Sequence, residues 1–158
     1  MIAAKRSGFV RLAASLPLRV SPEMLAETLR AGPASWEERP GPEGVRRFAV
    51  DLRLRVGGES TALTTFRKAA YVDLGEVRSS EDGFVAEIGW QAATAAPLFP
   101  VFSGELRIGR DELALSGLYA PPGGVVGRIA DRTLLHVAAT GTARWLLDEL
   151  NRAAGAGS

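Results

Sequence analysis

The C-terminal part of the chain constrains the fold most. Residues 125–154 contain no proline and are rich in helix-forming residues. At about 1.5 Å per residue, ~30 residues form a helix about 45 Å long. A chain of 158 residues has a radius of gyration of only about 15 Å. One helix would therefore cross the whole domain, and we expect it to pack on a sheet.

The residues that precede this helix predict such a sheet. Apolar and polar residues alternate with a period of two through much of residues 47–119, which is typical of half-buried strands. Short turns separate the strands: Gly57-Gly58, Asp82-Gly83 and Gly109-Arg110-Asp111. Strands joined by short turns pair antiparallel. We expect a meander of about five strands that curls around the helix.

The N-terminal part predicts a further strand and a short helix. Residues 8–20 alternate like the later strands, and Ser21 followed by Pro22 is typical of a helix start. This helix should end at Gly32. Residues 33–44 are rich in proline, glycine and glutamate, with Trp36 as their only large apolar residue, so they predict a loop.

The apolar stripe of the long helix changes direction. Its early members are Val126, Ile129, Ala130, Leu134, Val137 and Gly141. Beyond Gly141 the apolar residues Leu146, Leu147 and Leu150 lie on another side. Either the helix bends at Gly141, or its first half covers the sheet while its last turns pack on another element, such as the short helix. We favour the second alternative. Leu146 and Leu150, if exposed, would instead suit a homodimer contact.

Composition limits the function classes. With 46% hydrophobic and 23% charged residues, the chain is typical of one globular domain, residues 1–158 with an ordered core of about 8–153. It has no cysteine and a single histidine, His136, so we expect no metal, no cofactor and no catalytic residue of a known motif. Its 18 acidic residues are spread among 19 basic ones, which argues against nucleic acid as a partner. With no apolar run long enough for a membrane span and no secretory signal, the expected location is the cytoplasm.

Several segments resemble a known superfamily. They are WQAA at 90–93, LFPVFSGEL at 98–106, GLYAPPG at 117–123 and GRIADR at 127–132, followed by Leu135-His136. With the order of elements, they are similar to the START-like proteins (SRPBCC, helix-grip or Bet v 1-like), and more narrowly to an uncharacterised actinobacterial group. The resemblance implies an α+β helix-grip fold, in which a curved antiparallel sheet wraps around a long C-terminal helix. It also implies a cavity for an apolar or amphipathic molecule. That superfamily shares no catalytic motif, so the resemblance assigns no catalytic residue.

Alternation places a set of aromatic residues on the inward face of the sheet. Together with two positions on the helix they form the candidate pocket: Phe48, Phe66, Phe84, Trp90, Phe102, Tyr119, Val137 and Gly141. These residues suit a packed core as well as a ligand platform. Trp90 and Tyr119 also carry donors, which makes them candidates for a polar contact to a ligand. Arg67 and Glu87 alternate against the apolar set and should face solvent.

Three functions remain open from the sequence. The first, which we favour, is a non-catalytic domain that carries a small molecule between the sheet and the helix. The second is an enzyme of the polyketide cyclase, aromatase or dehydratase type that uses the same pocket. The third is a domain whose pocket is filled by its own side chains and which acts through a partner protein.

Overall fold

The computed structural model describes residues 9–56, 64–93, 101–120 and 132–156. Within these ranges it contains two helices and eight strands. The helices are α1 (Pro22–Ala31) and α2 (Arg132–Ala156). The strands are β1 (Val10–Pro17), β2 (Glu37–Arg39), β3 (Arg46–Val56), β4 (Thr64–Leu74), β5 (Arg78–Ser80), β6 (Gly83–Ala92), β7 (Val101–Ile108) and β8 (Glu112–Ala120).

All eight strands belong to one antiparallel sheet. Their order is β1-β8-β7-β6-β4-β3-β2, and β5 pairs with β6. The predicted antiparallel sheet with a C-terminal helix is therefore confirmed. The Asp82-Gly83 turn lies at the start of β6, whereas the predicted Gly57-Gly58 turn lies outside the described residues.

The sequence did not predict β2. This strand occupies only three residues of the expected loop, and it pairs with residues 47–49 of β3. All three residues of β2 are exposed and charged, so no alternation of apolar and polar residues marks them.

One row of paired residues crosses the sheet on its inward face. From β1 to β3 its members are Val10, Tyr119, Phe102, Trp90, Val72 and Phe48. Val10 is partly buried and the other five are buried in the core. The alternation in the sequence thus places these side chains on the correct face, and Glu87 is exposed as expected.

Helix α1 is fixed at both ends. The hydroxyl of Ser21 accepts a hydrogen bond from the Met24 amide, as its N-cap position predicts. At the other end the Arg46 guanidinium donates to carbonyls of the last turn, Leu29 and Ala31 among them. Arg46 also makes two hydrogen bonds with Glu38, at 2.9 and 3.0 Å. One arginine therefore ties the helix to β2 and β3.

Helix α2 packs on the sheet and on α1. It contacts β1, β3, β8 and α1, and its buried side chains from residue 139 onward include Ala139, Ala143, Leu146, Leu147, Leu150 and Ala154. Leu146 and Leu150 are fully buried within the chain, so the dimer contact considered for them was wrong. The predicted start of the helix at residues 125–131 and the side chains of Leu134 and Val137 lie outside what the structure describes. Neither helix, over its described length, is long and apolar enough to cross a membrane.

Candidate ligand-binding site

The centre of the inward face is a stacked aromatic pair. The rings of Trp90 and Phe102 have centroids 4.1 Å apart and planes inclined by 18°. The Phe102 ring lies over two glycines, Gly104 and Gly117, which are directly paired on β7 and β8. A Cβ atom at either glycine would come within 2.8 Å of Phe102 Cζ. The glycine pair thus leaves the space that the Phe102 ring occupies, and Trp90 stacks on that ring.

The indole nitrogen of Trp90 is a buried donor. Trp90 is 2% exposed, and its Nε1 finds no acceptor among the described residues. A buried N–H without a partner costs about 1–3 kcal/mol. Such groups in folded proteins are usually paired with protein, water or a ligand.

Tyr119 and His136 meet at the next position of the row. The Tyr119 hydroxyl lies 3.4 Å from His136 Nδ1, and the two rings are tilted by 35°. Burial raises the pKa of Tyr119, so its hydroxyl keeps its proton at neutral pH. This contact joins the end of β8 to the described start of α2, at the edge of the inward face.

A groove of about 660 Å³ lies between α2 and the β2–β4 side of the sheet. Trp36 lines it next to β2, and Trp145 lines it from α2. Between them the strands contribute mostly small residues, namely Ala49, Val50, Ala69, Ala70 and, just after β6, Ala93. Small side chains opposite two indoles leave room that larger residues would fill.

Charged residues also line this groove, and most of them are paired. Arg152 bonds to Glu149 at 2.9 Å and to Asp148 at 2.6 Å, while Arg39 pairs with Glu37 at 2.9 Å. The remaining polar side chains of the lining are Ser35, Asp51 and Tyr71. The groove therefore combines apolar walls with polar groups, an arrangement that suits a molecule of mixed polarity.

The groove adjoins the aromatic row through one ring contact. Trp36 and Phe48 have ring centroids 5.7 Å apart and planes inclined by 58°. Phe48 is the last member of the row on β3. Side chains therefore run without a break from the groove to the stacked pair.

The pocket residues predicted from the sequence, where their positions are described, lie in three different parts of the fold. Phe48, Trp90, Phe102 and Tyr119 share the row described above. Phe84 is half-buried further along β6, where the Arg30 guanidinium lies 5.4 Å from its ring centroid. A Cβ at Gly141 would meet no atom of the described residues within 4 Å, and the side chains of Phe66 and Val137 are outside the described part. Their contact with a ligand stays a prediction.

None of the six candidates whose side chains are described lines the groove, and sequence reasoning missed Trp36 and Trp145, which do. Trp36 carried a usable signal, because a lone tryptophan in a polar loop is large enough to need a partner surface. Trp145 lies outside the predicted stripe and gave no such signal.

No group of three or more His, Asp or Glu side chains in the described ranges is placed to hold a metal ion.

Comparison with solved structures identifies the fold. The aromatase/cyclase ZhuI from Streptomyces sp. R1128 aligns over 93% of this chain and 94% of its own, with a TM-score of 0.54 and 14% identity. Ara h 8.0201 aligns over 94% and 99%, with a TM-score of 0.55 and 11% identity. TTHA0849 from Thermus thermophilus aligns over 94% and 99%, with a TM-score of 0.52 and 13% identity.

Neither a protein-family model nor a curated protein matches the sequence. Identities this low establish the architecture and leave the ligand and the activity to the site itself. The antiparallel sheet, the C-terminal helix across it and these alignments show that the chain has the helix-grip, or Bet v 1-like, fold.

Proposed function

We propose that this protein binds an apolar or amphipathic small molecule in the groove between α2 and β2–β4, as a carrier rather than a catalyst. The observation that carries the proposal is the groove itself, about 660 Å³ with Trp36 and Trp145 in its lining. Ligand pockets in proteins span roughly 300–1,000 Å³ and are mostly apolar, with a few polar groups that fix orientation.

The chemistry of the lining favours a flat, partly polar ligand. Indole rings offer large apolar faces for stacking, and they lose little conformational freedom on binding. The polar side chains of Asp51, Tyr71 and Arg152 lie in the same lining and suit hydroxyl or carbonyl groups on one side of the molecule.

The comparison with solved structures also supports binding of a small organic molecule. One of the solved structures with this architecture is an aromatase/cyclase. That activity belongs to the Streptomyces protein, but it illustrates that the fold accommodates an organic molecule.

Native mass spectrometry of freshly purified protein, with the fluorescent probe ANS as a second readout, tests the proposal. We expect a co-purified small molecule or ANS binding, with energy transfer from tryptophan to the dye. Trp145→Ala should weaken ANS binding at least about fivefold if one indole contact contributes on the order of 1 kcal/mol. Trp145 is half-buried, so circular dichroism must show that the variant folds.

Phe9→Ser is the matched control, because Phe9 is an exposed aromatic residue absent from the lining of the groove. It should bind ANS like the parent protein. The proposal would be refuted if native mass spectrometry gave the mass of the protein alone and ANS did not bind. It would also be refuted if the Trp145→Ala variant bound ANS as strongly as the parent protein.

A catalytic role is the second candidate, and the Tyr119–His136 contact favours it. A protonated phenol can donate a hydrogen bond to a carbonyl oxygen while a neighbouring imidazole accepts a proton. The test is aldol cyclisation of a linear poly-β-ketone followed by dehydration of the aldol, in which the new hydroxyl and an adjacent proton leave as water, measured by mass spectrometry. If the protein is such an enzyme, both Tyr119→Phe and His136→Gln should slow this reaction, and His136→Gln should also change its pH profile. No dehydration by the parent protein, or unchanged rates in both variants, would remove this candidate.

A further inference from the structure

Strand β2 covers only the first part of the β3 edge. Residues 37–39 of β2 pair with residues 47–49 of β3. Two residues further in the same register, Ser35 would face Asp51. The chain turns instead, with a main-chain hydrogen bond of 2.9 Å that closes residues 33–36. Strand β3 itself extends past Asp51, and from there onward the described part of the chain provides no partner strand on this side.

The hydrogen-bond pattern of the sheet shows where the main chain of Asp51 points. Just after β6, the Ala93 amide donates to the Ala69 carbonyl at 3.0 Å, so the odd-numbered residues of β4 bond to β6. In antiparallel strands the bonding direction alternates from one residue to the next. The even-numbered residues of β4 therefore bond to β3, as Ala70 does to Val50, which lies opposite it. The N–H and C=O of Asp51 then both point away from β4, towards the open edge.

These two main-chain groups lie in the groove. Asp51 lines it together with Trp36 and Trp145, and Asp51 is exposed. Within the described ranges, no group bonds to the Asp51 N–H or C=O on the side of the open edge. Unpaired groups on a strand edge are a template for another extended segment. The groove therefore offers one main-chain donor and one main-chain acceptor beside its two indoles.

The arrangement of this donor and acceptor defines the chemistry that complements them. Opposite residues of an antiparallel pair exchange both bonds, because the N–H of each donates to the C=O of the other. A ligand can do the same only if its N–H and C=O are separated by one saturated carbon and point to the same side. An extended aminoacyl unit has this arrangement. A single trans amide does not, because its own N–H and C=O point in opposite directions.

We propose that the ligand of the groove contains an extended aminoacyl unit, as in a short peptide or an N-acylated amino acid, which pairs with the main chain of Asp51. The inference rests on the proposed function, since it concerns the same groove. The N–H of the unit donates to the Asp51 carbonyl, and its C=O accepts from the Asp51 amide. The apolar part of the ligand lies against Trp36 and Trp145. When an extended segment joins a sheet edge, main-chain bonds supply affinity and neighbouring side chains supply selectivity.

Two probes that differ in one atom test the aminoacyl unit. N-(2-naphthoyl)glycine methylamide has an N–H and a C=O on either side of its saturated carbon, and the corresponding glycolate ester has oxygen in place of that N–H. Both carry the same naphthalene ring. We expect the amide probe to displace ANS and to bind about three- to tenfold more tightly than the ester probe, which is the factor for one hydrogen bond.

Amide hydrogen exchange, followed by NMR, locates the contact. The Asp51 amide should exchange fast in the free protein and several-fold more slowly with the amide probe bound. The Ala13 amide is the matched control. The Leu18 amide donates to the Asp111 carbonyl, which follows the register of β8, so the odd-numbered residues of β1 also point to an open edge. The exchange of Ala13 should not change when the probe binds.

The exchange Asp51→Pro removes the amide proton itself. Proline is tolerated in an edge strand where the N–H points outward. Asp51→Ala is the matched variant, because both variants lose the carboxylate and only the proline variant loses the N–H. We expect Asp51→Pro to bind the amide probe about three- to tenfold more weakly than Asp51→Ala. Circular dichroism must show that both fold, and if the proline variant does not, the exchange measurement on the parent protein decides.

The proposal is overturned if the two probes bind equally, or if the exchange of the Asp51 amide is unchanged with the amide probe bound. It is also overturned if Ala13 slows as much as Asp51, because the effect would then be general to the sheet. Equal binding of the two probes would leave the proposed function intact, since a flat molecule would still occupy the groove. Failure of the proposed function has a different result, in which neither ANS nor either probe binds.

Discussion

Asn151 on α2 clasps the end of β1 at Pro17. Its Nδ2 donates to the Pro17 carbonyl at 3.1 Å, and its Oδ1 accepts from the Arg19 amide at 3.1 Å. Asn151 is 2% exposed, so both bonds are largely shielded from water. The side chain of Arg19 adds an ion pair to Asp148, one turn earlier on the helix. This clasp shows that the last turns of α2 are held by β1 as well as by α1.

Asn151→Ala should destabilise the fold by about 2–3 kcal/mol, because it removes two hydrogen bonds and leaves the groups they satisfied unpaired. Urea denaturation measures the loss. Arg152→Ala is the control on the neighbouring position, where the ion pairs are exposed and should contribute less than about 1 kcal/mol. Equal losses in the two variants would show that the clasp adds nothing beyond the surface pairs.

The stability of the α1 connection should depend on pH through Glu38. The hydrogen bond from Arg46 lowers the pKa of Glu38, against the smaller opposing effect of burial. A carboxyl whose pKa is lowered by folding stabilises the native state above its unfolded pKa, and this contribution disappears as the pH falls through its folded pKa.

Glu38→Gln should therefore be less stable than the parent at neutral pH, and the difference should vanish in acid below the folded pKa of Glu38. Chemical denaturation across a pH series checks this. The control is Glu43→Gln, an exposed loop residue, which should follow the parent at every pH. A gap between Glu38→Gln and the parent that persists unchanged in acid would contradict the prediction.

The strands could be predicted because their evidence is local. Alternation along β3, β6 and β8 reveals which residues face inward, and the caps of α1 are short-range signals. The pairing of β1 with β8 joins residues that are about 100 positions apart, and no local pattern encodes such a contact. Strand β2 was missed because it is three exposed charged residues beside a longer strand.

The groove could not be predicted, because it depends on the space that small side chains leave between elements that are distant in the sequence. Ala49, Ala69 and Ala70 look like ordinary strand residues in the sequence, and only the fold brings them together with Trp145 of α2 in the lining of one groove.

Two glutamates face each other on the outer side of the sheet. Glu87 on β6 is the direct cross-strand partner of Glu105 on β7, and Glu105 pairs with Arg107 at 2.7 Å. Glu87→Lys should stabilise the protein by about 0.5 kcal/mol, because it turns a repulsive pair into an attractive one. The gain should shrink in high salt.

The control for that exchange is Glu76→Lys, an exposed residue that follows β4. It changes the net charge by the same amount without a glutamate opposite it. Thermal denaturation of both variants at low and high salt decides the point. If Glu76→Lys stabilises as much as Glu87→Lys, the effect comes from net charge and the pair is irrelevant.

The glycine pair beneath Phe102 makes a sharper prediction. A Cβ at Gly104 would lie 2.2 Å from the Ser116 carbonyl oxygen and 2.6 Å from Phe102 Cζ. Backbone cannot yield that much without separating β7 from β8, so Gly104→Ala should cost about 1–3 kcal/mol or more. Gly141→Ala is the matched exchange, because its new methyl group meets no atom of the described residues within 4 Å. In a helix interior it should stabilise by about 1 kcal/mol.

The two glycine variants also differ in what they do to the aromatic row. Gly104→Ala displaces the Phe102 ring, and Trp90 loses the partner on which it stacks, so near-ultraviolet circular dichroism and tryptophan emission should both change. Gly141→Ala should leave these spectra as they are and raise the melting temperature by about 2–4 °C. A Gly104→Ala variant with unaltered spectra and stability would mean that β7 and β8 do not approach as closely as their paired glycines allow. The stacked pair would then need another explanation.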